Sequence, residues 1–209
     1  LDLSLSNGEL SLYLLKKYSD IKVTILVCNE EYYDKVTTKL EKFKNRIDII
    51  LCKEESIEVS DVFKNDTYDK IMVLNTIGKI ENKRDFFKKC KDSLKKEGKL
   101  YIKTVCFADK NSKRFADITN FWQYNFSTRY NLCYDLYSNN FKNISYSEID
   151  HIMLLLSYVP KDIILLIIAF FTNIKYLINS KVPTIKVLLT HLYVVFNGLK
   201  TTMIICDNT

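Results

Sequence analysis

The sequence lacks a strong excess of one charge, and it lacks the motifs of nucleic-acid-binding proteins. Its 209 residues include 31 Lys and Arg against 25 Asp and Glu, which gives a formal net charge of +6. Charges of both signs alternate along helix-like segments, for example from Lys39 to Lys44, as is typical of solvated helix faces. Because no RNA- or DNA-binding motif accompanies the mild positive charge, we expect no nucleic-acid partner.

Cysteine is present, but no two cysteines form a CxxC pair. The six are Cys28, Cys52, Cys90, Cys106, Cys133 and Cys206. Zinc sites and thioredoxin-type motifs are therefore not expected, and no metal is predicted. Several of these cysteines lie in apolar, strand-like surroundings, where a free cysteine behaves as a small hydrophobic residue. A reducing, cytoplasmic environment is the simpler interpretation.

The sequence also lacks an apolar run of the roughly 20 residues that a membrane span needs. The run Ile163–Phe171 is shorter, and Lys161, Asp162 and Lys175 flank it closely. We interpret it as a buried helix or as one that covers a substrate pocket, and peripheral membrane contact stays open as the alternative. No signal peptide is visible. Because the sequence starts at Leu1 and opens directly in a strand, we expect further residues upstream.

Up to Phe107, short apolar runs alternate with helix-like segments. We predict strands at residues 1–5, 22–27, 47–52, 68–75 and 99–105. Apolar residues at helical spacing predict helices at 9–18, 31–43 and 83–96, the last closing at Gly98 as a C-cap. This alternation implies right-handed βαβ units and a doubly wound, Rossmann-like α/β sheet. Ligands of such sheets bind beyond the carboxyl ends of the strands.

The same pattern divides the chain into three regions. Residues 1–107 form the predicted Rossmann-like core. Residues 108–183 are predicted to be a helical and aromatic insertion or substrate lid, because periodicity weakens after Phe107 and the chain then becomes strongly apolar. Residues 184–209 are predicted to complete the core with a closing helix at 184–196 and a strand at 200–206.

The opening strand, turn and helix read LDLSLSNGELSLYL. Small residues in such a turn let a cofactor approach backbone N–H groups at a helix N-terminus. The segment resembles the first S-adenosylmethionine (SAM) binding motif of class I methyltransferases, in the subgroup of cyclopropane-fatty-acid synthases and coclaurine-type N-methyltransferases, which reads LDLGCGWGSLSLYLAEKY. The last glycine of that motif is kept as Gly8, whereas Ser4 and Ser6 replace the first two. Serine carries a penalty at positive φ, and we expect these replacements to weaken SAM binding.

The resemblance implies that SAM is held by residues in or directly after the first four strands. They are Asp2, Ser4, Ser6, Gly8, Asn29, Glu30, Cys52, Lys53 and Asn75. Asn29 or Glu30 would hold the ribose hydroxyls, and an ordinary loop carboxylate is the alternative. Lys53 replaces the Asp that contacts the adenine amine. Because an ammonium can only donate hydrogen bonds, Glu54 or Glu55 would have to accept from that amine.

The resemblance also implies altered chemistry. After YDKI at residues 68–71, the subgroup continues with Glu-Met-Phe-Glu-His, whose last two residues handle the proton of the acceptor amine. This chain reads NTIGK, with Gly78 and Lys79 in their place. Lys79 is a poor base unless it is buried. Cys106 matches a cysteine that helps hold a bicarbonate-like base in the synthases, and a buried structural cysteine is the alternative. Lys79 and Cys106 are the candidate catalytic residues.

Three functions remain open from the sequence. The first is SAM-dependent methyl transfer to a small-molecule amine or lipid acceptor, which needs mainly positioning and desolvation. The second is a catalytically inactive relative that acts as a scaffold or regulatory partner of another protein, because function belongs to sites and not to folds. The third is a lipid enzyme or lipid-binding protein at a membrane surface, suggested by the apolar residues 148–180 and the mild positive charge.

Overall fold

The computed structural model describes residues 1–4, 7–52, 57, 61–107, 125–149 and 199–209. The described strands are β1 (Val23–Val27), β2 (Ile47–Leu51), β3 (Tyr68–Leu74), β4 (Leu94–Phe107), β5 (Ser127–Thr128), β6 (Lys142–Ile149) and β7 (Leu199–Asp207). The described helices are α1 (Glu9–Lys17), α2 (Glu30–Leu40), α3 (Lys83–Ser93) and α4 (Arg129–Ser138), with 3₁₀ turns at Glu41–Arg46 and Ile77–Lys79.

The opening segment, residues 1–3, lies in the sheet between β1 and β3. The Asp2 amide donates to Thr24 O (2.8 Å), and the Leu26 amide donates to Asp2 O (3.0 Å). On the other side, the Leu3 amide donates to Met72 O (2.8 Å). Single parallel bridges thus connect the opening segment to both neighbouring strands.

The described strands follow the order β2, β1, opening segment, β3, β4, β7, β6. The strands from β2 to β4 are parallel, whereas β7 runs antiparallel to both β4 and β6. The short β5 pairs in parallel with the end of β4. The chain moves outward first to one side of the opening segment and then to the other. The predicted doubly wound α/β fold is confirmed, and its order reverses between the opening segment and β3.

Helices cover both faces of this sheet. Leu15 of α1 and Val36 of α2 are buried with Ile25 of β1 in one apolar cluster. The adjacent Leu26 points to the opposite face and lies in a second cluster, which also holds Phe86 of α3. Successive side chains of a strand alternate between the two faces, and β1 therefore contributes to both layers of the core.

The junction between α3 and β4 differs from the prediction. Helix α3 ends at Ser93, because Leu94 is already extended and pairs with Tyr68 of β3. Gly98 is therefore not a helix C-cap, and Glu97 is the residue with positive φ, at 65°. Instead, the absence of a side chain at Gly98 lets the neighbouring backbone pack closely against it. A Cβ atom there would lie 2.8 Å from Lys95 O and 3.2 Å from Tyr68 O.

Residues 127–149, which we predicted as part of an insertion or lid, belong to the Rossmann-like sheet and its helical layer. Strand β6 pairs with β7, and Leu132 and Leu136 of α4 are buried in the same cluster as Phe86. Outside the described residues lie 108–124 and 150–183 of the predicted lid and the predicted helix at 184–196. Strand β7 occupies the position of the predicted closing strand. No helix in the described ranges is long and apolar enough to cross a membrane.

Candidate functional site

The carboxyl ends of the opening segment, β1, β2, β3 and β4 meet at one edge of the sheet. The strand order reverses between the opening segment and β3. In doubly wound sheets, ligands bind in the crevice that such a reversal leaves beyond the carboxyl ends. The candidate site therefore lies at this edge, where most of the residues singled out from the sequence are found.

Asp2 fixes the turn that follows the opening segment. It is fully buried, and its Oδ1 accepts hydrogen bonds from Ser4 N (3.0 Å) and Ser4 Oγ (2.5 Å). Its Oδ2 accepts from the buried Ser11 Oγ of α1 (2.6 Å). Because both carboxylate oxygens are held by protein donors, Asp2 ties the turn to helix α1.

Ser4 occupies the first glycine position of the motif without the expected strain. It is not among the described residues that have positive φ. Its hydroxyl is turned back onto Asp2. The penalty that serine carries in a left-handed conformation therefore does not arise at Ser4. Ser6, at the second glycine position, lies outside the described residues.

Gly8 is a position where the backbone does require glycine. It caps the N-terminus of α1 with φ 76° and ψ 13°, in the left-handed region. A Cβ atom would also lie 3.3 Å from both Cγ atoms of Val36 in α2. Glycine is thus kept where the conformation and the contact between α1 and α2 demand it, as in other glycine-rich turns of this sheet type.

Lys39 of α2 holds the same turn from outside. Its ammonium donates to Asn7 O (2.9 Å) and pairs with Glu9 Oε1 (2.7 Å). An open groove of about 420 Å³ beside it is lined by Asn7, Asp34, Lys35, Thr38 and Lys39. Asn7 belongs to the turn after the opening segment, and the other four lining residues belong to α2. Sequence pattern gives no signal for this role of Lys39, because its partners are 30 and 32 residues away.

At the end of β1, Asn29 is the N-cap of α2. Its Oδ1 accepts from Glu31 N (2.7 Å) and Tyr32 N (3.3 Å). The side-chain oxygen of Asn29 therefore stabilises the helix terminus. Glu30, the first residue of α2, is exposed.

Directly after β2, Cys52 lies beside Cys28, which directly follows β1, with their Sγ atoms 3.0 Å apart. Cys52 donates its amide to Val27 O (2.8 Å), which extends the ladder between the two strands. Lys53, together with Glu54 and Glu55, lies outside the described residues.

The turn after β3 is bonded to the opening segment. Asn75 has φ 60°, a conformation that asparagine adopts more readily than most residues, and its amide donates to Lys103 O (2.7 Å). Next to it, the buried Thr76 Oγ1 donates to Leu3 O. Thr76 thus joins the two strands at which the order reverses. Thr76 was not predicted to be a site residue. Its position directly after a buried strand is the sequence feature that could have indicated this role.

Gly78 and Lys79, which replace the Glu-His pair, lie on a 3₁₀ turn. Gly78 is buried, and its carbonyl accepts from Asn125 N (2.7 Å). The buried Lys83 donates to Ile80 O (3.0 Å) and fixes the end of the same turn. Lys79 is exposed. Lys79 therefore lacks the burial that would make it a useful base.

Cys106, the other candidate catalytic residue, is a core residue. It is 1% exposed and packs in the same apolar cluster as Leu132. Burial raises the pKa of its thiol to about 11. Because the thiol is protonated near neutral pH, Cys106 supplies neither a thiolate nor a base there.

Comparison with known proteins identifies methyltransferases. No family model matches the chain. A probable (S)-tetrahydroprotoberberine N-methyltransferase 2 from Papaver bracteatum is 28% identical over 107 residues, which cover 51% of this chain and 28% of the relative. The (S)-coclaurine N-methyltransferase from Thalictrum flavum subsp. glaucum is 26% identical over 109 residues, with the same two coverages. The match thus spans little more than a quarter of either relative.

Solved structures share the fold over the whole chain. Geranyl diphosphate C-methyltransferase from Streptomyces coelicolor A3(2) has a TM-score of 0.71 at 13% identity, and the match covers 100% of this chain and 71% of that one. Phosphoethanolamine N-methyltransferase 2 from Haemonchus contortus has a TM-score of 0.73 at 14% identity, with coverages of 99% and 47%. The fold is that of class I SAM-dependent methyltransferases. Over about half of the chain, the sequence further resembles N-methyltransferases.

Proposed function

We propose that the chain binds SAM at the carboxyl edge of the sheet, between the opening segment and β3, and transfers its methyl group to a small-molecule acceptor. The turn from Asp2 to Gly8 carries this proposal. It combines a buried carboxylate with a left-handed glycine at the reversal of the strand order. Structural neighbours were crystallised with S-adenosylhomocysteine (SAH) or SAM, which supports the choice of cofactor.

Around this turn, we assign the cofactor contacts by strand. Glu30 follows β1 and carries an exposed carboxylate suited to the ribose hydroxyls. Cys52 and Lys53 follow β2 on the proposed adenine side. Asn75 follows β3, the strand that neighbours the opening segment. Ser6 would lie with Ser4 and Gly8 in the turn beneath the cofactor. Asp2 and Asn29 act indirectly, because their side-chain oxygens are engaged in the turn and in the cap of α2.

The transfer itself needs a nucleophilic acceptor. Bound SAM would supply an electrophilic methyl group, and the acceptor would take it up with release of SAH. With Gly78 buried, Lys79 exposed and Cys106 protonated, we assign proton removal to none of these three. We propose instead that the acceptor arrives deprotonated and that the site contributes positioning and desolvation. The names of the N-methyltransferase relatives favour an amine acceptor, and a lipid acceptor is the alternative.

A catalytically inactive scaffold is the second candidate function, because Gly78 and Lys79 stand in place of the proton-handling pair. Such a protein would still have the fold and could keep SAM as a structural ligand. It would form no SAH with any acceptor. A protein partner would then carry the function. Cytoplasmic localisation is part of both proposals.

Calorimetric titration of the full-length protein with SAH and SAM tests the proposal. We expect binding in the micromolar range, about −8 kcal/mol. Gly8→Ala should weaken it, whereas Tyr13→Phe, at an exposed position of the same helix α1, should not. If neither ligand binds to the wild type, the SAM-binding proposal is wrong.

Turnover separates the two candidate functions. The protein is incubated with SAM and a panel of amines and phospholipids, and SAH is measured. SAH formation above the rate without acceptor supports the enzyme, whereas binding without SAH formation supports the scaffold. Flotation with anionic vesicles tests peripheral membrane contact, and absence of association would remove the membrane-surface alternative.

A further inference from the structure

The six cysteines fall into two groups by their place in the fold. Cys90, Cys106 and Cys206 are buried in the apolar core beside α3, β4 and β7, and Cys133 of α4 is half-buried against the same core. Burial raises the pKa of the Cys206 thiol to about 12 and that of Cys106 to about 11, and it also raises the pKa values of Cys90 and Cys133. The fully buried thiols among them are therefore protonated and unreactive.

Cys28 and Cys52 form the other group, at the ends of two adjacent parallel strands. Val27 and Leu51 are partners in the register of β1 and β2, and each of the two cysteines directly follows one of them. Neighbouring strands are about 4.8 Å apart, which falls within the roughly 4.4–6.8 Å between the Cα atoms of a disulfide. The backbone therefore already has the separation that a disulfide requires.

The two sulfur atoms face each other across this pair of strands. The Sγ atoms are 3.0 Å apart, and both residues are half-buried. A disulfide bond needs the sulfur atoms to approach by a further 1 Å or so. Rotation of the two side chains can supply such a movement, since the strand ends carrying them are already adjacent. Neither residue has a role in the proposed methyl transfer that a thiol must perform.

We propose that Cys28 and Cys52 are a thiol–disulfide redox pair and a modification site for low-molecular-weight disulfides such as oxidised glutathione. One thiolate of the pair attacks a sulfur of the oxidised glutathione, forms a mixed disulfide and releases one glutathione thiolate. The second cysteine then attacks the protein sulfur of that mixed disulfide, and the second glutathione leaves. Two electrons pass from the pair to glutathione, and the two thiol protons are taken up by the two glutathione thiolates.

Thiol trapping after equilibration in glutathione buffers tests the proposal without any cofactor. The full-length protein is equilibrated at increasing ratios of oxidised to reduced glutathione, quenched with acid and alkylated. We expect two thiols to be lost together, a mass about 2 Da lower before alkylation, and one peptide pair linked through Cys28 and Cys52. The matched control Cys133→Ser, at another half-buried cysteine, should give the same result.

Single replacements sharpen this test. Cys28→Ser and Cys52→Ser should each stop at a glutathione adduct, because the second thiol that resolves it is missing. Circular dichroism shows whether these variants fold, and the peptide map of the wild type decides the proposal if they do not. Loss of no thiols, or a link between other cysteines, overturns it. Because no step depends on SAM, failure here leaves the proposed methyl transfer untouched.

Discussion

Two turns border the candidate crevice, and they differ in what they retain. The turn after the opening segment keeps a buried carboxylate, with three hydrogen bonds from Ser4 and Ser11, and a glycine in the left-handed conformation. The turn after β3 is held by the hydrogen bond of the Thr76 hydroxyl to Leu3 O and by that of the Asn125 amide to Gly78 O. It carries Gly78 and Lys79 where the resemblance implies a Glu-His pair. One turn has the groups that would shape the proposed cofactor site, and the other lacks the pair that the resemblance implies for proton handling.

This difference separates two requirements that enzymes usually combine. Binding at a strand-to-helix turn depends on backbone shape, which a few buried groups can fix. Acid–base catalysis depends on particular side chains with suitable pKa values. A chain can therefore change the second turn without losing the fold or the first turn. We expect SAH affinity to respond to changes at Asp2 and Gly8 of the first turn and to be insensitive to changes in the second turn.

The largest effect is expected for Asp2→Ala. This change removes the acceptor of both serine hydroxyls and of the Ser4 amide in a fully buried position. We expect a loss of about 3 kcal/mol in the free energy of unfolding, measured by urea denaturation, and loss of SAH binding. Asp69→Ala removes an exposed carboxylate paired with Lys95, and should cost less than about 0.5 kcal/mol. Equal stabilities of the two variants would contradict the role of Asp2.

A pair of glycine replacements tests whether the cofactor binds at the first turn. Gly8→Ala forces a Cβ into a left-handed position 3.3 Å from Val36, and should cost about 2 kcal/mol. Gly98→Ala creates a contact of 2.8 Å with Lys95 O at the start of β4, on the opposite edge of the sheet. Both should lower the melting temperature, but only Gly8→Ala should weaken SAH binding in calorimetry. Equal affinities would place the cofactor elsewhere.

Much of the sheet could be predicted because buried parallel strands leave continuous apolar runs. Residues 68–75 were predicted as such a strand, and β3 indeed buries Ile71 and Val73. Strand β6 was missed, because it is an outer strand of the described sheet and its residues, such as Tyr146, are mostly exposed. The early end of α3 was missed for another reason. Pairing of Leu94 with Tyr68 overrides the helical tendency of the charged residues that follow.

The site was predictable only where its signal is local. The turn from Asp2 to Gly8 has a recognisable sequence, and its residues lie close together in the chain. Thr76 bonds to a carbonyl 73 residues away, and Lys39 to one 32 residues away. Periodicity and motif spacing report local structure, and they carry no information about such pairs. The strain expected at Ser4 was wrong because φ cannot be read from a motif alignment.

Cys106→Ala tests whether Cys106 supplies a catalytic thiol. The side chain is buried, and removal of its sulfur should cost about 1 kcal/mol of stability through lost packing. The rate of SAH formation with any accepted substrate should stay within about twofold, since a thiol whose pKa is about 11 is neutral in the assay. A large fall in that rate with SAH affinity intact would make Cys106 part of the chemistry.

Ser4→Gly tests whether the serine of the first turn is a defect or a neutral replacement. Glycine restores the residue of the related motif but removes the hydroxyl bonded to Asp2. We expect a stability loss of about 1 kcal/mol from the lost hydrogen bond and the more flexible backbone. SAH affinity should change by less than about twofold. A tenfold gain in affinity would instead show that Ser4 obstructs the cofactor.

The smallest effect is expected for Glu148→Gln, at the end of β6 beyond both turns. Lys200 and Arg129 pair with Glu148 at 2.9 and 2.7 Å, and these contacts lower the pKa of its carboxyl. A carboxyl whose pKa is lowered in the folded state stabilises the protein above its unfolded pKa, and this contribution is lost as the pH falls through the folded value. Urea denaturation should therefore show a deficit below about 1 kcal/mol at neutral pH that disappears in acid. SAH affinity should be unchanged, and a deficit that grows in acid would contradict this assignment.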